Sequence, residues 1–323
     1  MTTTTLTLPL RPLGSTGLLV TPICVGGAPL GDMPETFAYS APEAQALATI
    51  RAAFASPINF LDTAAAYGDG ESERRIGLVI KEVGGLPPGF VLATKADRSL
   101  QTGDFSGDQM KRSIEGSLQR LGLNRLQYVY IHDPEHTTFE NVMGPGGPLV
   151  VLQNFQEQGV IEHIGMSGGP IDMLIRYLET GAFSAVETHN RYTLLNRSAI
   201  PLLDVATRLG VAVVNAAPYG SGMLAKGPDA YARYAYQDAP PALIERTRRL
   251  AAVCQEWGVP LAAAALQFSM RDPRVTTTVV GMTKPERVAQ TLELAHHPIP
   301  DDLWSQLDAV GFDVEDPEVM RFK

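Results

Sequence analysis

Apolar residues fall along this chain in two alternating patterns. Short runs, nearly continuous in apolar residues, lie at 23–26, 59–63, 90–95, 126–132, 163–167, 185–190, 211–217 and 275–281. Continuity rather than strict alternation marks strands buried on both faces, as in parallel sheets. Between the runs come stretches of helical periodicity at 42–55, 71–83, 107–121, 149–158, 171–180, 199–209, 241–255 and 284–295. A ninth, 260–270, shares the last crossover. Eight strands each followed by a helix is the count of a closed barrel, whereas an open doubly wound sheet usually has six strands. Ahead of the first run, segments 5–9 and 18–21 flank the turn-rich tetrad Gly14-Ser15-Thr16-Gly17, which predicts a hairpin. The pattern predicts an α/β fold, a (β/α)8 TIM barrel taking up residues 1–323 as one domain.

The connections add a direction to this barrel. Links from helix to next strand are tight, as in Gly122-Leu123-Asn124-Arg125. Links from strand to next helix are long at 28–41, 96–106, 133–148 and 218–240. In a barrel those long loops share the face at the strands' C-terminal ends, where catalysis is found. The last of them carries Tyr219, Tyr231, Tyr234 and Tyr236, which suits a wall or lid over a flat ligand.

Charge and composition narrow the function. Lys plus Arg is 26 and Asp plus Glu is 35 in 323 residues, so the formal charge is 26 − 35 = −9. That balance argues against a nucleic-acid binder, which carries a basic stripe, and against electrostatic binding to anionic membranes. Cys24 and Cys254 are the two cysteines and cannot build a disulfide framework. No apolar stretch approaches the ~18 residues of a membrane span. The start, MTTTTLTLPLR, lacks a basic segment ahead of an apolar one and does not read as a signal peptide. A reducing cytoplasm is the expected compartment.

Candidate chemistry sits at the ends of strands two, three and four. These give Asp62, with Tyr67 just beyond, then Lys95, then His132. The spacings Asp62–Lys95 and Lys95–His132 are 33 and 37 residues, one βα unit each. The three therefore face one mouth at equal height on strands ~4.8 Å apart. A Lys and an Asp ending apolar strands are expected to pair, because neither is buried alone. A free tyrosine has a pKa of ~10, and an adjacent ammonium favours its ionised form. Asp62 would hold Lys95 and compensate its burial, while His132 orients the substrate oxygen. Such a tyrosine can give a proton to a carbonyl or take one from an alcohol.

Asp62-Thr63-Ala64-Ala65-Ala66-Tyr67-Gly68, Glu71-Ser72-Glu73, Thr94-Lys95 and Tyr130-Ile131-His132-Asp133 together resemble the aldo-keto reductase superfamily. The resemblance runs from Leu13-Gly14 through Gly281-Met282-Thr283-Lys284-Pro285-Glu286. It implies a barrel whose N-terminal β-hairpin caps the bottom, with NAD or NADP extended across the top. It also implies Tyr67 as general acid/base, Asp62 and Lys95 tuning it, and His132 orienting the substrate.

Further residues follow from the same resemblance. Ser167 matches the serine that bonds the nicotinamide carboxamide, with Gly168 where the family often has Asn. Asn190 ends strand six, where an amide helps to hold the ring. Tyr219, Ser221, Gly222 and Leu224 lie in a loop like the one over the pyrophosphate, whose backbone amides can bind phosphate. Ala216 takes a position that often carries the stacking aromatic, which makes Tyr219 the substitute. Gly281, Thr283, Lys284 and Arg287 precede or open the last helix, whose N-terminus favours phosphate. Arg287 matches a contact to the adenine ribose end, and Gly281 replaces a lysine that supports a 2′-phosphate. The absence of G-x-G-x-x-G after a strand speaks against a Rossmann fold.

Segments 189–195 and 217–222 look most like the aldose 1-dehydrogenase branch, which includes enzymes of L-fucose, L-galactose and D-threo-aldoses, with pyridoxal dehydrogenases similar. This implies oxidation of the C1 hemiacetal of a small aldose to a lactone, with His189 and Asp133 available to substrate hydroxyls. Pyridoxal or simple aldehydes and ketones are the alternative substrates, and a cofactor-binding regulatory subunit without turnover is the alternative role. The partner expected is a small molecule, with the chain a monomer or a small homo-oligomer. A metal-dependent barrel hydrolase would use His132-Asp133-Pro134-Glu135-His136, but Pro134 breaks the strand and no His-x-His ends the first strand. No metal is expected.

Overall fold

The computed structural model describes residues 7–319. Its strands are β1 (Arg11–Pro12), β2 (Leu19–Val20), β3 (Ile23–Gly26), β4 (Phe60–Asp62), β5 (Val91–Ala96) and β6 (Leu126–His132). They continue with β7 (Ile161–Ser167), β8 (Ala185–His189), β9 (Ala212–Ala216), β10 (Arg233–Tyr234), β11 (Gln237–Asp238) and β12 (Thr277–Gly281). Eight of these close a parallel barrel in the order β12-β3-β4-β5-β6-β7-β8-β9. The predicted (β/α)8 architecture is the one observed. Two predicted helices, Glu71–Val83 and Gly107–Leu121, have their expected bounds, and the other helix bounds shift by one or two residues. A further helix, Asp301–Val310, was not read from the sequence; Leu303, Trp304 and Leu307 bury its inner face.

The N-terminal hairpin exists, with its second arm, Leu19–Val20, inside the expected 18–21 and a different first arm. Arg11 pairs with Val20 and Pro12 with Leu19. The expected first arm, 5–9, is not the paired one: residues 7–9 are outside any strand, and Thr5 and Leu6 lie outside the described residues. The turn decides this, because Leu13 N donates to Leu18 O at 2.9 Å and pairs the residues next to it. Leu13 and Val20 then enter one buried cluster with Phe60, Val91, Ala185 and Ala212, the first residues of β4, β5, β8 and β9. The hairpin therefore plugs the N-terminal end of the barrel. Burying two such side chains is worth ~1.5–3 kcal/mol each. The Arg11 guanidinium fastens the plug by donating to Val275 O at 2.8 Å and Met270 O at 2.9 Å.

The opposite end carries the long loops. Helix Glu71–Val83 fastens the one after β3. Ser72 Oγ donates to Gly27 O and Arg75 Nη1 donates to Leu30 O, at 2.8 and 2.6 Å. Glu73 is buried against Thr94 and Arg120. The Tyr67-Gly68 turn packs directly on Gly31: a Cβ at Gly68, where φ is +62°, would stand 2.0 Å from Gly31 O. That position requires glycine both for the left-handed backbone and for the space.

Candidate active site

Asp62 closes β4, Lys95 is the fifth residue of β5, and His132 closes β6. The expectation of equal height needs one correction. Asp62 pairs in register with Ala93, and Lys95 with Tyr130. Each site residue therefore stands two residues beyond the register partner of the previous one, which is the stagger of a tilted barrel. Two residues preserve side-chain parity, so all of them still face inward. The structure brings the four together. Lys95 Nζ donates to Asp62, to Thr63 O at 3.2 Å and to Tyr67 OH at 3.1 Å. The Tyr67 and His132 rings meet edge to face at 5.8 Å.

Burial controls the electrostatics. Lys95 is fully enclosed and Asp62 is 2% exposed. A second carboxylate, Glu187 on β8, lies with its Oε2 3.5 Å from Lys95 Nζ. Burial would strip the ammonium, but Asp62 and Glu187 outweigh it and hold Lys95 well above an ordinary lysine. Burial, then Glu187, push Asp62 up to about 8 against the pull of Lys95. Two ionised carboxylates around one ammonium would leave one negative charge in excess, which is why Asp62 holds a proton more readily than an ordinary carboxyl. Tyr67 feels the same balance: burial pushes its phenol well above the usual value, Lys95 pulls it down, and the carboxylates push it up. The downward pull expected of Lys95 is present but does not set the net direction.

His132 is held by a residue that sequence reasoning passed over. Its Nδ1 lies 2.5 Å from Asp97 Oδ1, and its Nε2 lies 3.6 Å from Asp133 Oδ1. Burial pulls the imidazole down, but Asp133 and Asp97 outweigh it and raise it to about 9. Asp97 had a signal: it follows Lys95 by two, just past the end of β5, on the side to which Lys95 points. Glu187 had one too, as an acid in the middle of an expected strand.

Glu318 had no local signal. It lies far from the barrel in sequence, yet it is fully buried at the barrel mouth, where its Oε1 is 3.0 Å from His189 Nε2. The same oxygen accepts from Asn190 Nδ2 at 3.1 Å and Arg191 Nη1 at 3.2 Å. Asn190 Oδ1 in turn accepts from Ser221 Oγ at 3.2 Å. Both ends of the Asn190 amide are thus engaged within the protein.

The remaining sequence-predicted residues form two groups. Ser167 closes β7 in register with His132 and Glu187, and it is buried. Ser221 and Gly222 both have left-handed backbone, and Leu224 is buried just after them. Tyr219 has a buried hydroxyl with no hydrogen-bond partner. Across the mouth, Gly281 ends β12, Thr283 O accepts from Gln45 Nε2 at 2.8 Å, and Lys284 and Arg287 are exposed at the start of helix Pro285–His296. Lys226 lies 4.1 Å over the Tyr231 ring and 4.9 Å over the Tyr39 ring. Burial and the charge of Arg287 lower its affinity for a proton. Two cations in each other's field beside a helix N-terminus, with an unpartnered phenol close by, suit an anionic phosphate ligand. Among the described residues no group of three or more His, Cys, Asp or Glu could hold a metal ion, and no helix is long and apolar enough to cross a membrane.

Comparison with known proteins agrees with this geometry. The chain is 31% identical to pyridoxal 4-dehydrogenase of Microbacterium luteolum, over 93% of this chain and 97% of that protein. It is 30% identical to D-threo-aldose 1-dehydrogenase of a Pseudomonas species, over 90% of this chain and 94% of that protein. Among solved structures, the holo form of the aldo-keto reductase AKR11C1 from Bacillus halodurans superimposes with a TM-score of 0.77 at 22% identity, covering 97% of this chain and 99% of that one. Residues 22–311 match the Aldo/keto reductase family, and with relatives of this similarity over nearly the whole length, the chain belongs to that family of oxidoreductases.

Proposed function

We propose that this protein is an NAD(P)-dependent dehydrogenase that oxidises the C1 hemiacetal of a small aldose to the lactone, with Tyr67 as the acid/base. The observation that carries this reading is the Tyr67 hydroxyl. It accepts from Lys95 Nζ at 3.1 Å, so its own proton is directed elsewhere, beside His132 at the mouth of the barrel. A D-threo-aldose 1-dehydrogenase among the relatives and a mouth bordered by His132, Asp133 and His189 both suit a polyhydroxylated substrate.

Ser167, the 219–224 loop, Lys226 and Arg287 would hold the dinucleotide. The nicotinamide supplies the hydride acceptor for oxidation or the donor for reduction. All other steps belong to the chain. In oxidation Tyr67 starts as tyrosinate, stabilised by the Lys95 ammonium, and takes the C1 hydroxyl proton as the C1 hydride leaves. In reduction the phenol gives that proton to the carbonyl oxygen while His132 donates a hydrogen bond to the same atom. Asp62 and Glu187 keep Lys95 charged through both directions.

Tyr67→Phe removes the proton site and keeps the ring. It should lower turnover by ~10²-fold or more while nucleotide binding, followed by fluorescence quenching, persists. Undiminished turnover would end the Tyr67 assignment. A substrate panel of L- and D-aldoses, pyridoxal and simple aldehydes, each with NAD and NADP and read at the absorbance of reduced nicotinamide, identifies the substrate. The pyridoxal 4-dehydrogenase relative favours pyridoxal as the second candidate. Turnover of pyridoxal alone would replace the sugar reading and leave the tyrosine chemistry intact.

A further inference from the structure

We propose that Asp97 is a positioning residue of this site: it keeps His132 cationic, with Nδ1–H on the Asp97 carboxylate and Nε2–H presented to the substrate oxygen. The proposal deepens the Tyr67 reading and rests on it for the part that concerns turnover.

The geometry leaves Asp97 little freedom. The residue is 5% exposed. Its backbone is fixed on both sides by helix Gly107–Leu121: Asp97 N donates to Ser113 Oγ at 3.0 Å, and Gln109 Nε2 donates to Asp97 O at 3.1 Å. Its two carboxylate oxygens have separate duties. Oδ2 accepts from Ala66 N at 2.8 Å, and Oδ1 meets His132 Nδ1 at 2.5 Å. A buried carboxylate already accepting a backbone N–H is an acceptor, so the histidine nitrogen facing it carries the proton. Ala66 directly precedes Tyr67. One carboxylate thus fixes both the backbone that carries the phenol and the imidazole that works beside it.

The second histidine nitrogen is available. Nε2 stands 3.6 Å from Asp133 Oδ1, too far for a hydrogen bond, so its proton can turn to a substrate oxygen. Several charged groups act on the ring. Lys95 on β5 opposes its charge, whereas Asp133, next on its own strand, and Asp97 favour it. Asp62 on β4 interacts with His132, and Tyr67 meets it edge to face. His136, His189 and Arg98 act on Asp133. A cationic donor stabilises the negative charge that develops on the substrate oxygen in either direction, which a neutral imidazole does less well. A purely structural clamp between Asp97 and the 63–68 turn would leave the charge of His132 unaffected by loss of the Asp97 charge.

The test combines NMR of ¹⁵N-histidine-labelled protein with kinetics. The chain has 6 histidines, and the His132 signal is identified by its loss in His132→Gln. In the parent protein both His132 nitrogens should be protonated at neutral pH. Asp97→Asn keeps the shape and an acceptor for Ala66 N but turns an amide N–H₂ toward Nδ1. The His132 titration should then move down by ~1–3 pH units, the usual effect of losing a close opposite charge. Carbonyl reduction should slow by ~10-fold or more, with its alkaline limb shifted the same way. A His132 that is neutral in the parent protein overturns the proposal without any variant. A titration or a rate that stays put in folded Asp97→Asn overturns it as well. Tyr67→Phe keeps the readings apart: full activity there ends the tyrosine assignment, while the His132 titration still decides the Asp97 pairing.

Discussion

At the scale of single residues, the site is a contest between burial and pairing. Tyr67 is pushed toward its neutral form by burial, and Glu187 and Asp62 add to that push. In the proposed mechanism oxidation needs the tyrosinate and reduction needs the phenol. The oxidative rate should therefore rise through the alkaline range while the reductive rate falls, as pH–rate profiles in both directions would register. Glu187→Gln removes one of the two carboxylates next to Lys95. The alkaline limb of oxidation should move to lower pH by ~1 unit, because a like charge no longer opposes ionisation. A limb that moves up would show that Glu187 acts mainly by holding Lys95 in place. His132 also ties activity to stability. Its folded value, about 9, lies above the ordinary 6.5, so its contribution is full below pH 6.5 and is lost as pH rises toward 9. Melting temperature should fall across that window, and less steeply in Asp97→Asn.

At the scale of elements, helix Glu71–Val83 carries the Tyr67-Gly68 turn into position. It meets helix Gly107–Leu121 so closely that a Cβ at Gly77 would stand 2.0 Å from Arg120 O. Helix propensity alone favours alanine there by ~1 kcal/mol. A backbone clash in a packed interface costs ~1–3 kcal/mol and outweighs it. Gly77→Ala should lower the melting temperature and loosen the Glu73–Arg120 pair, whose atoms lie 2.7 Å apart. A stabilised variant would mean that the two helices can part without loss. The long loop after β9 shows the converse. Its β10–β11 hairpin turns through Ala235 and Tyr236, both left-handed, at φ 49° and 65°. Non-glycine residues hold that shape because Ser221 Oγ accepts from Tyr236 N and Arg233 Nη2 donates to Tyr236 O. Two of its four tyrosines are bonded within the protein: Tyr234 donates to Asn190 O at 2.8 Å, and Tyr231 donates to Phe37 O at 3.3 Å.

At the scale of the whole molecule, the segment 313–318 is anchored against the end of β8 and the loop that follows it. Arg197 N donates to Asp313 O, Asn196 Nδ2 to Glu315 O, and Arg191, fully buried, pairs with both Asp316 and Glu318. Burial opposes the Glu318 charge, but His189 and Arg191 outweigh it and hold the carboxyl well below its ordinary 4.5. Such a group stabilises the fold above pH 4.5 and loses that contribution as pH falls below it. Glu318→Gln should flatten the acid side of the stability curve and leave Arg191 with one carboxylate fewer, lowering the neutral melting temperature too. An unchanged acid limb would show that the segment is not anchored through this charge.

The sequence by itself determined the barrel, the presence of its hairpin and the grouping of Asp62, Tyr67, Lys95 and His132 at one end. Continuous apolar runs state that a strand is buried on both faces, and a βα unit of nearly constant length places Asp62, Lys95 and His132 on neighbouring strands. Those are local and periodic properties, so they survive in one dimension. The hairpin register was misread because a six-residue turn, not the apolar run at 5–9, chose the pairing. Glu187, Asp97 and Glu318 became parts of the site only in three dimensions. Each is an ordinary acid until the barrel closes, and what makes it matter is the buried cation or imidazole brought beside it from another strand or, for Glu318, from across the fold. Pairing energies between groups distant along the chain depend on burial and separation, and neither quantity exists before the chain has folded.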